Sequence, residues 1–102
     1  MPYYLPQDKE MDMFNLTENE MRAAKVLVQE CLDGMGGTRP SDLANDEFTW
    51  CEAATLIAAG WSKKAAAGTY GSLIEKGFVF SQKDGDYVTT NGWQWLDTVW
   101  EE

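Results

Sequence analysis

The sequence predicts a mainly α domain carrying one small β-hairpin, and three observations predict it. Apolar residues recur at helical spacing in several separate stretches. An Asp84-Gly85 turn signature separates two short β-type runs. A last stretch sets Trp93, Leu96 and Trp100 on one helical face. The chain has 102 residues, 44% of them hydrophobic and 13% aromatic, which suits one packed domain and argues against disorder.

Residues 1–15 carry Pro2, Pro6 and four charges and read as an N-terminal arm; residues 16–102 read as the domain. Thr17-Glu18-Asn19-Glu20 has the capping-box form, with Leu16 before it and Met21 after it as a hydrophobic staple. Met21, Ala24, Val28, Cys31 and Leu32 continue the first helix, and Gly34, Gly36 and Gly37 end it. Residues 38–48 are a connector, in which Ser41-Asp42-Leu43-Ala44 has the form of one helical turn. A second helix is expected from Thr49 to Ala59, with Thr49 as cap and Glu52 three residues on, because the segment is rich in alanine. Gly60-Trp61 makes a turn, and Ser62 caps a third helix that runs to Lys76 and stops at Gly77. Phe78-Val79-Phe80-Ser81 and Tyr87-Val88-Thr89-Thr90 read as paired strands around Lys83-Asp84-Gly85-Asp86. Thr90 or Asn91 caps a final helix, about 91–102.

Composition excludes several function classes. There is no histidine, and Cys31 and Cys51 form no Cys-x-x-Cys pair, so neither a disulfide framework nor a zinc site is indicated. Both cysteines sit in apolar stretches read as helical and are expected to be small buried hydrophobes. No nucleophile has a histidine beside it, and Asp84-Gly85-Asp86 lacks the remaining ligands of a calcium loop. The sequence therefore predicts no enzyme, no metal and no cofactor. No apolar run spans a membrane, and the N-terminus lacks the form of a secretory signal; a cytoplasmic setting is the expectation.

The formal net charge is −9, against the basic balance usual in nucleic-acid binders. Its distribution is uneven: net −7 over residues 1–60, net +3 over 61–83 and net −5 over 84–102. The one positive segment contains Lys63, Lys64, Lys76 and Lys83.

From Gly60 the chain resembles winged helix-turn-helix regulators of the MarR type. The residues that carry the resemblance are Gly60-Trp61-Ser62 and Leu73-Ile74-Glu75-Lys76-Gly77-Phe78-Val79, with Ala66, Tyr70 and Leu73 at the inward positions. It covers roughly residues 49–92. It implies a three-helix core, a helix-turn-helix over about 49–77, a two-stranded wing over about 78–90 and a C-terminal helix. It also implies that the third helix lies in the DNA major groove.

That third helix departs from a good DNA reader. Its predicted outward face is Lys63, Lys64, Ala67, Gly68, Gly71, Ser72 and Glu75, with no Arg, Asn or Gln for bidentate base contacts. Gly68 and Gly71 cost helix stability, which suggests that a helix of the same domain, a DNA backbone or a partner approaches there. The candidate DNA contacts are Lys63, Lys64, Thr69, Ser72, Lys76 and Lys83, the lysines being alternatively ordinary solvated side chains. The final helix either packs on the first helix or makes a homodimer interface of Trp93, Leu96 and Trp100, covered by Tyr3 and Tyr4.

Two functions follow as expectations. One is a small DNA-binding transcriptional regulator on duplex DNA. The other is an acidic protein-interaction module that keeps the fold without binding DNA. In size and style it is similar to bacteriophage accessory proteins that bind host machinery, and mimicry of DNA is a special case.

Overall fold

The computed structural model describes residues 14–43 and 49–100. Helix α1 spans Glu18–Met35 and a 3-10 turn spans Pro40–Asp42. Strand β1 (Trp50–Cys51) precedes α2 (Ala54–Ala58) and α3 (Lys63–Glu75). Strands β2 (Val79–Gln82) and β3 (Gly85–Val88) lead into α4 (Thr90–Thr98). The architecture is mainly helical, with one three-stranded antiparallel sheet in the order β1–β3–β2.

Helix α1 begins where its capping box predicts. The Glu20 amide donates to Thr17 Oγ1 at 3.2 Å, and the Thr17 amide donates to Glu20 Oε1 at 2.8 Å. Such a cap contributes about 1 kcal/mol. Gly36 closes the helix in the left-handed region, its amide returning to the Leu32 carbonyl. Ala23, Ala24, Leu27, Val28, Cys31 and Leu32 form the buried stripe. The connector then packs onto the far end of the chain: Arg39 Nε donates to Asp97 Oδ1 at 2.8 Å, and the Ser41 amide donates to the same oxygen at 3.0 Å.

The second helix is shorter than the sequence predicts. Residues 49–53 are not helical, and the helix cap is Ala53 rather than Thr49; α2 starts at Ala54. Trp50 and Cys51 instead pair with Tyr87 and Asp86 of β3, and the Val88 amide donates to the Thr49 carbonyl at 2.9 Å. Threonine and tryptophan suit a pleated, half-buried strand, and ladder bonds to the hairpin outweigh the helical preference of the alanines that follow. Cys51 therefore lies on a strand, not on a helix.

At the corner between α2 and α3, Gly60 takes φ +108 and the Trp61 amide bonds back to the Leu56 carbonyl. Ser62 Oγ then accepts from the Ala65 amide at 3.1 Å. Ala66, Tyr70 and Leu73 are buried as expected, and the chain turns from α3 into β2 at Gly77, φ +87. The hairpin is displaced by one residue. Gln82 pairs with Gly85, so the two-residue tip is Lys83-Asp84, with Gly85 already in the strand. Neither tip residue has positive φ, so the mirror-image turn implied by Asp-Gly does not form. The α4 cap also moves, to Thr89, whose Oγ1 accepts from the Gly92 amide at 3.0 Å.

Helix α4 buries a wider face than the predicted stripe. Trp93, Trp95 and Leu96 are all in the core. Trp95 meets the ring of Phe14 edge-on at 5.6 Å, and Phe14 also meets Phe78 at 5.7 Å. Phe14, read as arm, is thus part of the packing around the core; residues 1–13 lie outside the described residues.

Candidate functional site

Helix α3 brings only part of the predicted DNA-contact set to the surface. Lys63 and Lys64 are exposed on its first turn, and Lys83 is exposed at the hairpin tip beside Asp84. Lys76 is not a free cation: its Nζ lies 2.6 Å from Glu20 Oε1 and donates to the Asn15 carbonyl at 2.7 Å. Ser72 is turned toward α1, where its hydroxyl helps hold the Glu20 carboxylate. Thr69 shares that helical stripe and is half-buried. Burial of Glu20 raises its pKa, but hydrogen bonds from Lys76, Thr17 and Ser72 outweigh this and hold it below the usual carboxylate range.

The outward face of α3 is nearly bare. Ala67, Gly68 and Gly71 are exposed, and a Cβ built on either glycine meets nothing within 4 Å. Close approach of another helix of the same chain, one reason the sequence offered for these glycines, is excluded among the described residues. Glu75 completes the exposed face.

The sheet carries a surface that the sequence reading missed. Val79 and Val88 point into the core, so strand alternation sends Phe80 and Tyr87 outward, and Trp50 pairs beside Tyr87. The three rings form one row across the three strands, with centroids 5.8 Å apart for Trp50–Tyr87 and 5.4 Å for Phe80–Tyr87. Trp50 and Phe80 are each 48% exposed. Trp50 lies close over Gly85, where a Cβ would sit 3.0 Å from its ring and displace the indole by a few tenths of an ångström. The usable signal was the alternation in Val79-Phe80-Ser81 and Tyr87-Val88, but Trp50 was assigned to a helix.

Behind the row, Asp86 accepts from Tyr70 Oη at 2.6 Å and from Ser81 Oγ at 2.7 Å. Burial, and the hydrogen bond to Asp86, push the Tyr70 phenol far up, so it remains a donor. Tyr70 Oη also lies 3.6 Å from Cys51 Sγ. Burial raises the Cys51 thiol to about 12 and the Cys31 thiol to about 11. Neither is an activated thiolate.

A hollow of about 320 Å³ adjoins the row, lined by Glu30, Trp50, Cys51, Glu52, Thr55, Gly85 and Asp86. A larger open groove of about 500 Å³ runs between α1, α2 and Trp100, sharing Glu30 and Thr55 with it. Of the predicted dimer residues, Leu96 is fully buried and Trp93 is 7% exposed within the single chain. Trp100 is half-buried on the larger groove, and Tyr3 and Tyr4 lie outside the described residues. Among the described residues no cluster of metal-ligating side chains occurs, and no helix is long and apolar enough to cross a membrane. No family model, curated protein or solved structure matches the chain.

Proposed function

We propose that the chain is a winged helix-turn-helix domain that docks a protein partner rather than reading DNA. The winged-helix reading is supported by two helices joined at a short glycine-bearing corner, followed directly by a hairpin whose sheet is completed by β1. The observation that carries the functional reading is the aromatic row Trp50–Tyr87–Phe80, half exposed on an otherwise acidic protein. Large aromatic side chains anchor protein interfaces because they desolvate much area with few rotors.

DNA binding is the second reading, favoured by the exposure of Lys63, Lys64 and Lys83. Three such cations support a log–log salt slope of only about 2.7 per chain, at roughly 0.9 per neutralised phosphate. The bare face of α3 offers no base-reading side chain. A homodimer remains part of the proposal, with Trp100 and the groove beside it as the contact, since Trp93 and Leu96 already lie in the core.

Two measurements test the choice. Duplex DNA is titrated at low ionic strength with wild type and with Lys63→Ala/Lys64→Ala. In parallel, immobilised wild type, the lysine pair and Trp50→Ser/Phe80→Ser are exposed to extract of the source cells. The expected result is a protein retained by wild type and by the lysine pair but lost from the aromatic pair. Salt-dependent duplex binding that the lysine pair abolishes and the aromatic pair keeps would overturn the reading in favour of DNA.

A further inference from the structure

We infer that the segment received by the sheet face is cationic: an extended arginine-bearing stretch of the partner crosses the aromatic row, with one guanidinium in the hollow beside Trp50. This rests on the protein-docking reading and specifies the partner's chemistry. The row itself selects only for apolar and planar groups. Its surroundings select for charge. Glu30, Glu52 and Asp86 line the adjoining hollow, whose lining residues include no Lys or Arg. At the neighbouring hairpin tip Lys83 and Asp84 offset one another, and the chain as a whole is at −9. Asp86 lies on the face opposite the row, but the hollow at the β1 edge is lined by both Trp50 and Asp86, so a cation is drawn to that edge of the sheet, and a phosphate or a carboxylate is repelled there.

The geometry separates a side-chain cation from a metal ion. No group of three carboxylates among the described residues converges closely enough to hold a metal. The acids are instead distributed around a hollow of about 320 Å³ with an indole as one wall. That spacing suits a planar group that stacks on an aromatic face and donates hydrogen bonds in several directions, which is what a guanidinium does. Asp86 is held in place by the Tyr70 and Ser81 hydroxyls, one on each oxygen, and each oxygen keeps acceptor capacity for an incoming donor. Trp50 packs edge-on against Tyr87 and close over Gly85, which keeps the indole beside the hollow.

The test uses the full chain and three synthetic peptides of equal length, in which arginine, citrulline or glutamate alternates with small residues. Binding is followed by the indole N–H resonance of Trp50 and by the dependence of affinity on salt. The arginine peptide is expected to shift the Trp50 resonance saturably, and the citrulline and glutamate peptides are expected to leave it unmoved. Glu30→Gln/Glu52→Gln changes exposed side chains and keeps the fold. It should weaken the arginine peptide roughly fivefold or more, the effect of about 1 kcal/mol from two exposed charges. Glu18→Gln/Glu75→Gln, at the start of α1 and the end of α3, removes the same two charges away from the hollow and should leave the affinity unchanged. Equal weakening by Glu18→Gln/Glu75→Gln, or no Trp50 shift at millimolar arginine peptide, overturns the inference. If the aromatic pair still loses a captured protein in that event, the docking reading stands and only the cationic chemistry fails. A shift equally produced by the citrulline peptide also overturns it, since the row then takes an uncharged segment.

Discussion

Gly68 and Gly71 lie inside α3 with helical φ, exposed, and with open space where a Cβ would be. Glycine in a helix interior is less favourable than alanine by about 0.8–1.0 kcal/mol, because the unfolded chain loses more backbone freedom. The double variant Gly68→Ala/Gly71→Ala adds two methyl groups that meet nothing. It should therefore stabilise the isolated domain by about 2 kcal/mol. At roughly 4–8 °C per kcal/mol for a domain of this size, Tm should rise on the order of 10 °C. The assay is thermal and urea unfolding followed by circular dichroism, with the urea slope unchanged. An unchanged or lowered Tm would refute the reasoning, because it would mean that these glycines are not in open helical positions. Capture of the partner through the sheet should be unaffected; its loss would place the contact on α3.

Four further outcomes are expected. Lys76→Ala takes away the cation on the buried Glu20 carboxylate, leaving it the Thr17 and Ser72 hydrogen bonds, and should cost about 2 kcal/mol, whereas Lys63→Ala/Lys64→Ala should change stability by less than about 0.5 kcal/mol; urea unfolding distinguishes them. Hydrogen bonds from Arg39 lead in holding Asp97 low, and Glu20 is also held low, so both carboxylates stabilise the fold above the unfolded carboxylate pKa near 4. That contribution is lost as pH falls through the lower folded values, and Asp97→Asn should flatten the acid limb of Tm against pH. Cys31 and Cys51, raised by burial to about 11 and about 12, should react slowly with a thiol reagent in the native chain and rapidly in urea. Sedimentation should give a dimer that Trp100→Ala dissociates, and a wild-type monomer at tens of micromolar would refute self-association.

The legible parts of the fold were those written within a few residues of one another. The Thr17–Glu20 box, the Ser62 cap and the Gly77 exit each depend on near neighbours, and each stands where the sequence places it. Strand β1 was not legible, because its pairing partners Tyr87 and Asp86 lie far along the chain. The alanines from Ala53 onward argued for helix, and the β preference of Thr49 and Trp50 was too short a signal to set against them. The hairpin tip moved by one residue because the Val79–Val88 pairing sets the register, and Trp50 needs the space over Gly85. The site suffered most. Taking Ala66, Tyr70 and Leu73 as the whole inward face left out the second stripe, Ser72 and Lys76, by which α3 also packs on α1. The aromatic row depended on the strand that was missed.

The row is assembled from positions 50, 80 and 87, one on each strand. It exists only when β1 has closed onto β3, which requires most of the chain to be folded. A partner gripping it binds the native state and has nothing comparable to hold in the unfolded one. By mass action such a partner at a hundredfold its dissociation constant adds about 2.7 kcal/mol to the chain's stability. The domain's lifetime in the cell then follows the partner's abundance, and an orphaned copy is the form that proteases meet unfolded most often.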